Sequence, residues 1–513
     1  MNRVTFFVCV LVILAKTGIA QISSDIDVWY PVYPILQKKS HTPVAQINIQ
    51  SPAKGLRLNE VIVRIEHLKE NSIDSVQVFY SGQDSVFSTQ QRLATATAQN
   101  QTHLKNRITL KKGSNYLWVS LWPSEKLSPT DRLKVYVETV VIDGKKHSLP
   151  TKDVPLLRAG IALRQHGEDN VDTYRIPGLV TTPQGTLIAV YDVRYNSSVD
   201  LQEDIDIGMS RSTDGGETWE PMRIIMDQGE WGGLSEKANG VGDPAILIDP
   251  TTNTIWVAGL WTHGYPGQRA WDTAGPGLTP EETGQFLLVK SEDNGLTWSE
   301  PINITQQIKD PSWTLLLQGP GRGTTTSDGT LVFPAQYKDA EGMPYATVIY
   351  STDQGQNWQI GQGAKSNTTE AQVVALKDNS WMLNMRDNRG GSRSVYVTSD
   401  RGHSWTSHPT SRQALIEPIC MASLIVHQRD GKRYLVFSNP NATDQRHRMT
   451  IQVSEDEGMS WPESYHLLLD EWVSRGYSSL TSINEDTLGI LYESSQADLV
   501  FQKIGWNELL KSQ

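Results

Sequence analysis

The chain has 513 residues, a formal charge of −11, 38% hydrophobic and 20% charged residues, enough apolar material for a sizeable core and too much for a disordered chain. Trp (16) is twice as frequent as Phe (8) and Gly reaches 40, a composition of many short strands joined by tight turns. No Lys/Arg-rich run offers nucleic acid a basic footprint, and two cysteines supply neither a disulfide framework nor a Cys-ligated zinc site; with no HExxH or EF-hand pattern either, no metal and no cofactor is expected.

Residues 1–20 carry Arg3, the apolar run Val4 to Ala15, then Gly18-Ile19-Ala20 before Gln21. That order is a secretory signal, and Lys16 ends the run too early for a membrane anchor. Cys9 lies inside the apolar segment, poorly placed for lipid attachment. Cleavage after Ala20 removes two positive charges and no acid, so the mature chain carries −13. No later run spans a bilayer, and the expected location is periplasmic or extracellular.

Residues 21–155 alternate in the manner of strands at Val61–Ile65, Val76–Tyr80, Tyr116–Val119 and Lys134–Glu138, with polar turns between. This predicts a separate, smaller β-sandwich. Pro150 and Pro155 mark its end.

Residues 156–513 are organised by one pattern found five times: Ser212-Thr-Asp214-Gly-Gly216-Glu-Thr218-Trp219, Ser291-Glu-Asp293-Asn-Gly295-Leu-Thr297-Trp298, Ser351-Thr-Asp353-Gln-Gly355-Gln-Asn357-Trp358, Thr398-Ser-Asp400-Arg-Gly402-His-Ser404-Trp405 and Ser454-Glu-Asp456-Glu-Gly458-Met-Ser460-Trp461. An Asp that bonds its own backbone, a Gly free to take positive φ and a Trp to bury beneath the turn make each copy a hairpin staple. The aspartates are 79, 60, 47 and 56 residues apart, close to one four-stranded blade with loops. Five boxes and one unit without a box predict a six-bladed β-propeller, all-β like the sandwich before it. The boxes themselves are expected to be structural and to stay clear of substrate.

With Tyr174-Arg175-Ile176-Pro177 ahead of the first box, the chain resembles the bacterial secreted exo-α-sialidases, or neuraminidases: six-bladed propellers with an N-terminal carbohydrate-binding-like sandwich. The resemblance is strong over about 160–510 and weak before it. It implies removal of terminal α-linked sialic acid from glycoproteins, glycolipids and oligosaccharides with retention. Sialic acid carries a carboxylate on its anomeric carbon, which a planar, permanently charged guanidinium grips with two bonds. By motif match the family's three arginines fall on Arg175, Arg386 in Asn384-Met-Arg386-Asp-Asn388, and Arg446 in Asp444-Gln-Arg446-His, with Arg448 as a neighbouring competitor. Retaining glycosidases ordinarily use a carboxylate nucleophile, and sialidases are the known exception with a tyrosine. The matching residue is Tyr477 in Gly476-Tyr477-Ser478. A neutral phenol escapes the repulsion an anionic nucleophile would meet at a carbon bearing a carboxylate, but needs a base beside it. The resemblance implies Glu370 as that base and Asp200, six residues after Arg194, as the acid, although Glu203, Asp204 and Asp206 follow closely. It further implies Glu493 as the acid that orients Arg175, and Asp243 and Arg194 as substrate contacts. Trp261 and Trp271 could supply an apolar wall or core filling.

Asn100, Asn196, Asn303, Asn367 and Asn441 head Asn-x-Ser/Thr triplets, and glycans on Asn196 or Asn367 would crowd Asp200 and Glu370. This favours a bacterial source. Sialylated glycoconjugates are the expected partners; for the sandwich, glycan contact and a purely structural role stand equal. Transfer of the sialyl group to another sugar or an internal hydroxyl needs the same core residues as hydrolysis. A catalytically dead, glycan-binding propeller predicts loss of Asp200, Glu370 or Tyr477, and all three are present.

Overall fold

The computed structural model describes residues 25–37, 39–52, 55–200, 203–264 and 268–510; the expected signal segment lies outside the described residues. Strands dominate throughout. The N-terminal part packs a five-stranded sheet, in the order Asp25–Trp29, Thr42–Ser51, Gly113–Pro123, Ile73–Gly82 and Arg92–Thr97, against a second sheet of Arg132–Ile142, Arg57–Glu66 and Gln101–Thr109. Their facing positions are β-branched, among them Val61, Val63, Val76, Val78, Val119 and Val137, all buried. Alternation places these side chains on one face of each sheet, and the pleat does the rest.

Six four-stranded sheets follow. Their innermost strands are Thr173–Thr181, Asn239–Asp249, Leu315–Gln318, Thr368–Ala375, Ser423–Arg429 and Ser478–Asn484, here numbered blades 1 to 6. The ring closes where blade 6 meets blade 1: Leu179 N donates to Ser479 Oγ at 2.9 Å, and the Thr181 and Thr481 hydroxyls bond at 2.9 Å. Leu480 N donates to Ser423 Oγ between blades 6 and 5, and Gln372 Nε2 to Pro320 O between blades 4 and 3.

Each box joins the third and outermost strands of blades 1 to 5. In the first, Asp214 accepts from Glu217 N, Thr218 N and the hydroxyls of Ser212 and Thr218, while Ser212 Oγ accepts from Gly216 N. The box glycines hold φ between 80° and 87°. They are also pressed on the preceding blade: a Cβ on Gly355 would lie 2.4 Å from Trp256, and one on Gly216 2.4 Å from Phe501. The turn is therefore a clamp between blades as well as a hairpin end. Of the five tryptophans only Trp358 is fully buried; the other four are half-buried.

Blade 6 has no box because it has no such hairpin. Its outermost strand is Leu157–Arg164, which pairs with Leu499–Gly505 through Ile161 opposite Phe501. The same strand continues the second sandwich sheet, with Leu157 opposite Leu133. One hydrogen-bonded sheet thus runs from sandwich to propeller. Glu508 seals the junction by accepting from Arg132 Nη2 at 2.7 Å and Arg158 Nε at 2.8 Å. Among the described residues no helix is long and apolar enough to cross a membrane.

Candidate active site

A cavity of about 430 Å³ opens at the end of the propeller where inner strands begin and second strands finish. Strand direction explains which side chains gather at or just behind its wall: Arg175, Glu370 and Tyr477 stand at or just before the starts of inner strands, and Asp243 at the register break within another. Arg194 and Arg386 stand at the ends of second strands, and Glu493 just after one. Three inner strands break register here, between Arg175 and Gly178, Gly242 and Ala245, and Thr368 and Ala371. Bulges re-aim side chains, and two of these carry strain: Ile176 (φ 58°) and Asp243 (φ 56°), each followed by Pro, lie in the left-handed region.

Tyr477 is the centre of the cluster. Its hydroxyl donates to one Glu370 oxygen, while Arg386 Nη1 binds the other Glu370 oxygen at 2.6 Å and reaches Tyr477 Oη at 3.2 Å. The Arg175 and Arg446 guanidinium carbons lie 5.3 and 5.7 Å from the Tyr477 ring centroid. Burial, then the Glu370 charge, push the phenol well above its usual range, against the opposing pull of Arg386 and Arg446. It is therefore a neutral donor to Glu370. Cys420, packed beneath with Ile176 and Met421, is a buried thiol pushed up to about 12 and is inert.

Glu493 holds three backbone and side-chain groups at once: Arg175 Nε at 2.9 Å, Ile176 N at 3.2 Å and Tyr477 N at 3.0 Å. One buried carboxylate thereby fixes both Arg175 and Tyr477, from opposite ends of the propeller sequence. Burial alone would raise Glu493, but Arg175 and these donors hold it below the usual carboxylate range.

Asp200 accepts from Arg175 Nη1 at 2.8 Å and Arg194 Nη1 at 2.6 Å. Burial would raise its carboxyl; the two guanidiniums outweigh that and lower it. Arg194 is fully buried and is spent on Asp192, Ser198 O and Asp200, so it does not line the cavity. The expectation of a direct Arg194 contact is corrected in these terms: it reaches the cavity through Asp200. Asp243 does line it, and its amide donates to Asp192 Oδ1 at 2.8 Å. Burial, then the Asp192 charge, push Asp243 well above the usual carboxylate range, against the pull of Arg194.

Arg446 lines the wall, with Nη1 on Arg475 O and Nη2 on Ile419 O. Arg448 is not part of the lining. Trp271 faces the cavity, held by Lys338, whose ammonium sits 4.9 Å from its ring centroid; Trp261 is wholly buried against Trp231 and is core. No box residue lines the cavity. The structure adds residues that motif matching missed: Arg269, Gln336, Thr369 and Asn388. Gln336 Oε1 and Thr369 Oγ1 are buried and without a partner among the described residues, two open positions for a hydroxylated ligand. Thr369, next to Glu370, was open to discovery by adjacency; Gln336 had no sequence signal. Among the described residues no group of three or more His, Cys, Asp or Glu is arranged to hold a metal ion.

A box-stapled propeller whose axial cavity gathers clustered arginines around a Tyr–Glu pair defines a class of glycoside hydrolases. Family models agree: residues 176–493 match the BNR repeat-like domain and residues 23–146 the N-terminal domain of BNR-repeat neuraminidase. A sialidase of Bacteroides fragilis is 48% identical over 480 residues, 92% of this chain and 84% of that one. A sialidase of Micromonospora viridifaciens is 32% identical over 64% of this chain and 51% of its own. The solved structure of the Hadza microbial sialidase Hz136 superposes with TM-score 0.89 at 45% identity, covering 94% of this chain and 99% of that one. The chain belongs to the BNR-repeat sialidase family of glycoside hydrolases.

Proposed function

We propose that the protein is an exo-α-sialidase that hydrolyses terminal α-linked sialic acid with retention through a tyrosine nucleophile. The observation that carries this reading is the Tyr477–Glu370–Arg386 unit, with Arg175 and Arg446 packed around the same ring. The cavity fits one sugar. Arg175, Arg386 and Arg446 hold the carboxylate, whose negative charge offsets their field. Asp200, which the Arg175 and Arg194 charges keep ionised in the free cavity, then takes up a proton more readily.

Asp200 gives that proton to the glycosidic oxygen as the bond from the anomeric carbon breaks. Tyr477 Oη forms the new bond to that carbon while its proton passes to Glu370. Water, deprotonated by Asp200, then displaces Tyr477, which recovers its proton from Glu370. Two inversions give net retention. Asp243 and the unpartnered Gln336 and Thr369 oxygens serve the sugar's hydroxyl and amide groups.

Release of sialic acid from a fluorogenic α-sialoside tests the proposal, with NMR reading the anomer first formed. Turnover giving the α-anomer, abolished in Tyr477→Phe, is expected. No release, or Tyr477→Phe as active as wild type, overturns it. A product other than free sialic acid would make the enzyme a transferase on the same residues.

A further inference from the structure

We propose that Trp472, backed by Trp29 of the sandwich, is the stacking surface for the neutral hexopyranose that carries the sialic acid in a bound glycan. The inference rests on the exo-sialidase reading and extends it to the aglycone. A cavity that accommodates one terminal sugar must let the remainder of the glycan leave across its rim. On the Arg446 side that rim is the segment leading to Tyr477. Ser474 N donates to Arg446 O at 2.9 Å, and Arg446 Nη1 to Arg475 O at 3.1 Å, so the backbone two residues beyond Trp472 lies directly on a cavity-lining arginine.

At this point the rim is unusually apolar. Trp472 is 41% exposed, Val473 59% and Trp29 41%, and the two indoles pack edge to face with centroids 5.5 Å apart. Contiguous exposed aromatics of this size mark contact sites rather than ordinary surface. They are also rigidly supported. Glu471 N donates to Val32 O at 2.8 Å, joining the rim to the sandwich. Trp29 packs on Trp118 (6.0 Å), Trp118 on Phe87 (5.8 Å), and the Trp118 indole donates to Ser85 O. The sandwich therefore supplies part of the wall over which the glycan leaves.

The surrounding chemistry selects a sugar over a lipid surface. Asp25 and Asp27 lie on the same exposed strand face as Trp29, and Glu471 adjoins Trp472. Acids repel an anionic membrane, while acceptors beside an aromatic face suit a ring with axial C–H bonds and peripheral hydroxyls.

The test compares two substrates, 3′-sialyllactose and methyl α-sialoside, which share the sialic acid and differ in the aglycone. Trp472→Ala is expected to lower kcat/KM on sialyllactose about tenfold and to leave the methyl glycoside within about twofold. Trp29→Ala should act in the same direction but less, and Trp472→Phe should recover most of the loss. An equal fall on both substrates, or no fall on sialyllactose, overturns the proposal. If the wild type cleaves neither, the hydrolase reading is what fails. Lactose quenching of tryptophan fluorescence then decides the platform: quenching lost in Trp472→Ala supports it, and no quenching overturns it.

Discussion

The box turns and the axial cavity use the same residue types to opposite ends. In a box, Asp214 closes on Ser212 and Thr218 within a few residues, and five copies repeat this without contacting one another's ligands. In the cavity, Glu493 reaches 318 residues back to Arg175, and Tyr477 reaches 107 back to Glu370. The box carboxylates are mostly exposed and satisfied by local donors; in the cavity, Glu370 and Glu493 are buried and paired with guanidiniums, Glu493 with one from another blade, while Asp200 keeps about half its side chain in solvent. Local satisfaction yields repetition and stability, whereas long-range satisfaction yields a single site whose charges depend on the closed ring.

That contrast can be broken most directly at Tyr477 and Glu370. Tyr477→Phe and Glu370→Gln should each cost at least about 10³-fold in kcat/KM while the melting temperature stays close to wild type. An unfolded variant would mean the pair is structural. Glu493→Ala should strike stability and activity together, since it leaves Arg175 Nε and two backbone amides unpaired in the interior and Asp200 as the remaining carboxylate on that guanidinium. A loss of about 3 kcal/mol by urea unfolding, with activity lost in the remaining folded fraction, is expected.

On the box side, Gly355→Ala meets Trp256 and a φ of +83° together. It should cost about 2–3 kcal/mol of stability and leave turnover per folded molecule unchanged. Glu508→Gln probes the junction where the sandwich joins blade 6. Burial would raise Glu508, but Arg132 and Arg158 lower it, so its stabilisation is present above the unfolded value near 4.3 and disappears as pH falls through the folded one. The stability gap between wild type and variant, about 2 kcal/mol at pH 7 by urea unfolding, should therefore narrow as pH falls below the unfolded value. Smallest is Asp214→Ala, about 1 kcal/mol, because one staple of five frays while its neighbours hold. A loss of activity in Gly355→Ala or Asp214→Ala beyond the loss of folded protein would erase the distinction drawn here.

Much of the architecture was legible because its causes are local. Positive φ at a glycine, an Asp two residues from a Ser, and apolar alternation on either side are all short-range facts, and so the blades could be counted. The missing sixth box was noticed, but not its reason: nothing in Leu157–Arg164 shows that it crosses to Leu499–Gly505, more than 330 residues away. The half-burial of four box tryptophans was likewise invisible, since it depends on contacts with the neighbouring blade such as Trp219 on Phe501. Within the site, motif matching reached Arg175, Arg386, Arg446, Asp200, Glu370, Tyr477, Asp243 and Glu493, and the cavity or its immediate backing holds all of them. Of the two roles open to Trp261 the structure takes core filling, and Arg194 is buried beneath Asp200; both follow from the strands packed over them. Motif matching passed over Gln336, which has no flanking motif.

By itself, then, the sequence determined the fold class, the repeat and the kinds of charge available for an anionic sugar, because turns, strand periodicity and residue chemistry act over a few positions. Only the tertiary structure decided which of those charges meet. Closing six blades brings the starts of inner strands together at one end, and there burial and the Glu370 charge raise Tyr477, burial and the Asp192 charge raise Asp243, and the Arg175 and Arg194 guanidiniums lower Asp200 against its burial. For Tyr477 and Asp243 the deciding neighbours, Glu370 and Asp192, stand in other blades, at distances no short stretch of the chain encodes.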